Sequence, residues 1–304
     1  NMFVGSYSTF FNSILAKIIA GNQRGRLIGY SGAVGNILAF GAAILVGVIL
    51  KNVNFPYNYA WVFGIGAFLL LLDAWIFIPI QELPDTSVQK KRLSYWNYIR
   101  NMPKILKEHP RVAKAVYANG FIVVSNIALN YYTLYAIRNF ETGPAQVAAF
   151  TAIGVIFNTL GNAGFGIIAD RYGHGRVLQS AAIFGVIAAT IVLGIKSLYA
   201  VYVAFALSSC CVSGYNISCN MHVIQNSPGD QIPIYVSINT MITLVASSVV
   251  TILAGVLIDR VSFVPLFILT GLSAIGGFLM LHLLYKRRLQ SMPVVDSSST
   301  AQEI

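Results

Sequence analysis

The sequence predicts an all-α membrane protein that crosses the bilayer many times, and three observations lead there. Of its 304 residues, 56% are hydrophobic and only 10% are charged, where soluble domains hold about 25% charged residues. So apolar a chain cannot cover a water-facing surface. The apolar residues fall into nine runs, 1–19, 24–50, 58–81, 112–138, 144–168, 176–195, 198–225, 231–258 and 262–285. Most are long enough to cross a hydrocarbon core of about 30 Å as helices. The basic residues then sort by loop: sixteen of the twenty fall on one side, and Lys51, Arg138, Lys196 and Arg260 fall on the other. That is the positive-inside asymmetry, and it places the C-terminus in the cytoplasm. The net charge of +10 is therefore a topology signal, and no nucleic-acid partner is expected.

Each run has its own reason to be a span. Run 1–19 follows a start without a basic n-region, so it reads as a span and not as a cleaved signal. Run 24–50 opens on Arg24 and Arg26 and carries Gly35, Ala39, Ala43 and Gly47, one small residue per turn. Run 58–81 holds one intramembrane acid, Asp73. Run 112–138 places Asn119, Asn126, Asn130 and Thr133 at helical spacing, with Tyr131 and Tyr132 alongside. Run 144–168 sets Asn158 and Asn162 on one face with Gly154 and Gly166, and run 176–195 is apolar throughout. Run 198–225 carries the stripe Ser209, Ser213, Asn216 and Asn220 near Tyr215. It also holds all three cysteines, Cys210, Cys211 and Cys219, so no disulfide framework is implied. Run 231–258 carries Asn239 on a face of small residues, Thr243, Ser247, Thr251 and Gly255. Run 262–285 ends at Lys286, Arg287 and Arg288.

The chain resembles itself at an offset of 208 residues. The stretch from Gly47 to Phe55 answers that from Gly255 to Phe263, and Tyr7, Asn12, Gly21 and Gln23 answer Tyr215, Asn220, Gly229 and Gln231. The two small-residue runs coincide as well, and each is expected to let a neighbouring helix approach closely. So many matches at one offset read as a parallel duplication. Residues 1–81 are then part of a first bundle, 82–111 a linker, 112–288 a second bundle and 289–304 a disordered tail. In the linker, Ser94 to Lys107 is amphipathic and basic, which predicts a helix lying on the membrane surface.

The loop Gly166-x-x-x-Asp170-Arg171-x-Gly173, followed by His174, Gly175 and Arg176, joins two runs. It resembles the loop signature of the major facilitator superfamily, which joins the second and third helices of each six-helix half. The resemblance implies two pseudo-symmetric six-helix bundles. It makes this chain helices 4 (in part) to 12 of a twelve-helix protein, with a further Asp-Arg loop about forty residues before Asn1. It also implies that Gly166, Asp170, Arg171, Gly173 and Arg176 form a conformational loop docking on the start of the fifth helix, where Arg24 and Arg26 stand. A carboxylate at a helix N-terminus gains from the macrodipole, and an arginine there can pair with it. His174 and Gly175 depart from the basic residues common at those positions and leave Arg176 as the base.

Unsatisfied amides and hydroxyls are costly in hydrocarbon, so polar stripes in spans are candidate linings of a solute path. Asn126, Asn130, Tyr131, Asn158, Asn162, Tyr215, Asn216, Asn220 and Asn239 are those residues. The alternative is interhelical hydrogen bonding that serves packing alone. Asp73 and His222 are the ionisable groups that could couple transport to a proton. Asn130-Tyr131-Tyr132 is similar to the seventh helix of sugar porters, yet the Pro-Glu-Ser-Pro-Arg type sequence of those porters is absent after residue 81. The Gly-Pro pair of drug–proton antiporters is absent from run 24–50.

Enzyme readings find no support. The four histidines lack metal-ligand spacing, no Gly-Lys-Ser/Thr phosphate loop occurs, and no serine has a recognisable base. No metal or cofactor is expected. The expected function is secondary active transport of a small solute by alternating access, in a monomer of the plasma membrane. The alternatives are a non-transporting sensor or scaffold on the same fold and, among transporters, a proton-coupled drug exporter.

Overall fold

The computed structural model describes residues 23–77, 95–140, 142–228 and 231–290. The run 1–19, the linker from 78 to 94 and the tail from 291 lie outside the described residues, as do the side chains of Arg24 and of Tyr95 to Ile99. Ten helices follow in order: α1 (Arg24–Asn52), α2 (Tyr57–Phe77), α3 (Tyr95–Glu108), α4 (Pro110–Asn126) and α5 (Leu129–Phe140), then α6 (Pro144–Tyr172), α7 (His174–Gly194), α8 (Leu198–Asn226), α9 (Ile232–Arg260) and α10 (Val264–Gln290). No strand occurs among the described residues. Among the described residues eight stretches are long and apolar enough to cross a membrane, with α4 and α5 forming one of them and α3 standing apart.

Local chemistry sets the helix ends. Proline stands in the first turn of α4, α6 and α9, where its missing N–H has no partner to lose. The N–H of Gly143 donates to Oε1 of Gln146 at 3.0 Å and closes the start of α6. Gly173 ends α6 and opens α7 with φ of 85° and ψ of 153°, a backbone region essentially reserved for glycine. Its N–H donates to the Ala169 carbonyl at 2.8 Å.

Helices α4, α6, α7, α8 and α10 pack into one body, with α8 against α6 and α7, and α10 against α4 and α7. Helix α9 joins at α4 and α8, α1 lies along α6, and α2 packs on α1. Helix α2 turns Trp61, Phe63, Leu70 and Trp75 outward, which suits hydrocarbon as its solvent. The end of the body away from Asp170 is an aromatic layer, in which Tyr132 stacks on Phe267 with ring centroids 5.2 Å apart.

Three expectations change. The run 112–138 is not one continuous helix: a turn at Ile127 and Ala128 divides α4 from α5. There Ile127, Ala128, Asn130 and Tyr131 donate to carbonyls only three residues back. This tightened winding resets the direction of α5, and Asn130 with it, relative to the face of α4 that carries Asn119 and Asn126. The glycines of the small-residue runs make no close contacts among the described residues, since a Cβ added at Gly35, Gly47 or Gly255 would meet nothing within 4 Å. The tight approaches lie elsewhere: a Cβ on Gly185 would stand 2.7 Å from Ser125 Oγ, and one on Gly277 would stand 2.8 Å from Ile122 Cγ1. Finally, α3 packs the described part of its apolar face on the protein. Met102 and Leu106 are buried against Val112, Val116, Val223 and Tyr235, while Lys104 and Lys107 point outward.

Candidate functional site

Helix α1 starts without help from its own sequence. Gln23 makes no side-chain cap, and no acid stands in the first turn. The cap comes from α6: the N–H of Arg26 donates to Asp170 Oδ2 at 2.9 Å, and Arg26 Nε lies 3.6 Å from the same oxygen. The Asp170 side chain is only 4% exposed while that of Arg26 is 52% exposed. A buried carboxylate therefore meets the positive pole of a helix and a cation together. Four and eight residues before Asp170, the backbones of α1 and α6 touch. A Cβ on Gly29 would collide with the Asn162 carbonyl oxygen and stand 2.9 Å from Gly166 Cα. Gly166 thus lets the two helices meet, and Gly173 turns the chain. Arg171 is exposed, and Arg176 lies over the Tyr172 ring, 5.6 Å from its centroid. His174 is buried, with Nδ1 3.2 Å from Ser218 Oγ, so this position ties α7 to α8.

A second feature lies midway along the body. A cavity of about 400 Å³ is lined by Asn126, Asn130, Tyr215, Asn216, Ser247 and Thr251. These residues come from α4, α5, α8 and α9, and no charged side chain is among its lining. The Tyr131 hydroxyl does not line it but donates to the Thr251 carbonyl at 3.2 Å. Asn126 Oδ1 accepts from Cys211 Sγ at 3.0 Å, which holds that amide at the cavity wall.

The remaining asparagines bind one another. Asn119 Nδ2 donates to the Cys219 carbonyl at 2.8 Å and to Asn239 Oδ1 at 2.9 Å, and Asn239 Nδ2 donates to Asn220 Oδ1 at 3.0 Å. This chain joins α4, α8 and α9. A parallel one joins α1, α6 and α8: Asn158 Oδ1 accepts from Asn36 Nδ2 at 2.8 Å and from Asn162 Nδ2 at 3.0 Å, while Ser213 Oγ donates to Asn162 Oδ1 at 2.8 Å. Asn158, Asn162, Asn220 and Asn239 therefore sit between helices, and the structure brings only the other polar stripes to the cavity.

The sequence profile of the Major Facilitator Superfamily matches the chain over residues 1–178 and again over 117–301. The chain belongs to the major facilitator superfamily. Among solved structures its fold is similar to that of FucP, a Major Facilitator Superfamily transporter in the outward conformation. The TM-score is 0.57 at 15% identity, over 78% of this chain and 60% of FucP. It is also similar to a bacterial homologue of the iron transporter ferroportin in the outward-facing state. There the TM-score is 0.60 at 15% identity, over 89% of this chain and 66% of the homologue. The chain thus spans less than two thirds of the length of either protein. No curated protein matches it.

On this major facilitator fold the two ionisable candidates stand apart from the cavity. Asp73 is exposed on α2. His222 is buried in α8, its Nε2 3.2 Å from where a Cβ on Gly175 would stand. Sequence reasoning missed Asn36, whose signal was its place one face along from Gly29 and Gly32 on an apolar helix. It also assigned Ser247 and Thr251 to helix packing, although both line the cavity.

Proposed function

We propose that this protein carries a small, uncharged, polar solute across a membrane by alternating access. The observation that carries the proposal is the lining of the central cavity: four segments supply amide and hydroxyl groups there, and none of the described lining residues supplies a charge. Such a wall hydrogen-bonds a hydroxylated or amide-bearing solute without stripping a charge of its water. Membership of the family supports the transport reading, and solute sites near the midplane between bundles are a feature of its architecture.

The Asp170–Arg26 contact would act as the latch. It holds α1 to α6 at the end of the body where rocking of one bundle against another would separate them. Its parts are polar and partly exposed, so water can replace them when the helices part, and the contact can reform.

Proteoliposome flux tests the reading with a panel of radiolabelled neutral sugars, polyols and small amides. Uptake of one of them that is lost in Asn130→Leu supports it. Saturable binding without flux would instead support a sensor built on this fold, and selective flux of organic cations or anions would overturn the uncharged-solute assignment.

A further inference from the structure

A larger cavity, of about 520 Å³, opens at the end of the body that carries Asp170, between the start of α4 and the ends of α8 and α10. His109, Arg111 and Lys114 stand on one side of it, and Gln225, Asn226 and Ser227 on the other. Among the described residues no carboxylate lines it, and the neighbouring acid in sequence, Glu108, is exposed and outside the lining.

The local charge arrangement is unfavourable as it stands. Arg111 and Lys114 occupy the first two turns of α4, at the positive pole of the helix, where acids are the stabilising residues. That turn contains no acid, and His109 at the N-cap makes no side-chain cap. Helix α3 ends just before it and adds Lys104 and Lys107 on its exposed face. Two cations and the positive pole of α4 therefore share this end of the cavity, an arrangement that an anion would relieve.

We propose that this cavity binds a phosphate group, carried by an anionic lipid headgroup or by a soluble organic phosphate. Arg111 offers a planar fork that suits two phosphate oxygens, and Lys114 adds a point charge. The first-turn amides of α4 supply further donors. Basic pockets between membrane helices are sites of this kind for phosphorylated headgroups. The bound group would tie the start of α4 to the end of α8, and the far end of α4 and the middle of α8 line the central cavity. The proposal stands apart from the transport reading and does not require it.

The test uses the purified chain in phosphatidylcholine nanodiscs, titrated with short-chain fluorescent phosphatidic acid. Arg111→Gln combined with Lys114→Gln should weaken binding roughly 30-fold. Lys104→Gln combined with Lys107→Gln, outside the cavity, should weaken it less than about threefold at physiological salt. Equal losses in the two pairs would reduce the effect to diffuse charge and overturn the site, as would the absence of saturable binding to the unmodified chain. Competition by glycerol phosphate would assign the ligand to the soluble class, and competition by phosphatidic acid alone would assign it to the headgroup; either upholds the site. Lys114 is half-buried, so a second measurement uses the unmodified chain alone. Its melting temperature should rise saturably with phosphatidic acid and stay constant with added phosphatidylcholine; no difference between the lipids would overturn the site.

Discussion

The main-chain N–H of Arg26 and the carboxylate of Asp170 meet at 2.9 Å across 144 positions of sequence. One helix thereby receives its N-terminal cap from another. Because the cap is supplied in trans, the start of α1 is satisfied only while it stays beside the end of α6.

Removing that carboxylate should free the junction. A hydrogen bond to a charged acceptor contributes about 1.5–3 kcal/mol, so Asp170→Ala should shift the population of separated helices roughly tenfold or more. Labelling of a cysteine placed at Leu27, exposed beside the junction, reads the change. An unaltered labelling rate would reject the latch.

The approach of α1 to α6 leaves no room at Gly29. Gly29→Val should drive the backbones apart at Gly166 and destabilise the protein by about 1–3 kcal/mol. It should also abolish linkage by a short bifunctional thiol reagent between cysteines placed at Asn36 and Asn158, whose amides are 2.8 Å apart. Gly35→Val, where a Cβ meets nothing within 4 Å, should leave both the melting temperature and the cross-link intact.

Gly173→Ala forces a side chain into a backbone region that costs about 1–3 kcal/mol for residues other than glycine. A lowered unfolding midpoint in detergent would show it. Gly164→Ala, in the middle of α6 with open space around it, should be neutral or should stabilise by up to about 1 kcal/mol.

The asparagines divide into two groups that mutation can tell apart. Asn130 lines the central cavity, so Asn130→Leu should abolish solute flux and leave the melting temperature nearly unchanged. Asn239→Leu strands the amides of Asn119 and Asn220 and should lower stability by about 1–2 kcal/mol. The reverse pattern would mean that the cavity is a packing defect and that the buried chain is the path.

Much of this was legible beforehand for a simple reason. Span lengths, loop charges and the Gly-x-x-x-Asp-Arg-x-Gly loop are local properties, readable from runs of adjacent residues. The partner of Asp170 was narrowed to Arg24 or Arg26 by the family resemblance, and the attraction of a carboxylate to a helix start agrees with it. The role of α3 was not legible, since an amphipathic stripe says that a face will be buried and does not say whether lipid or protein will bury it. The packing of Met102 and Leu106 on Val112 and Val223 depends on the ends of other helices.

The polar stripes show the same divide. Helical spacing alone determined that Asn126, Asn130, Tyr215 and Asn216 could face inward, along with Asn158, Asn162, Asn220 and Asn239. Only the tertiary structure decided which amides face an open cavity and which face another amide. Within one stripe Asn119 meets the Cys219 carbonyl and Asn239 while Asn126 reaches the cavity, and the close approach at Gly29 brings Asn36 to Asn158. An amide in hydrocarbon must find a partner, and whether that partner is a neighbouring side chain or a solute is set by which helices lie beside it.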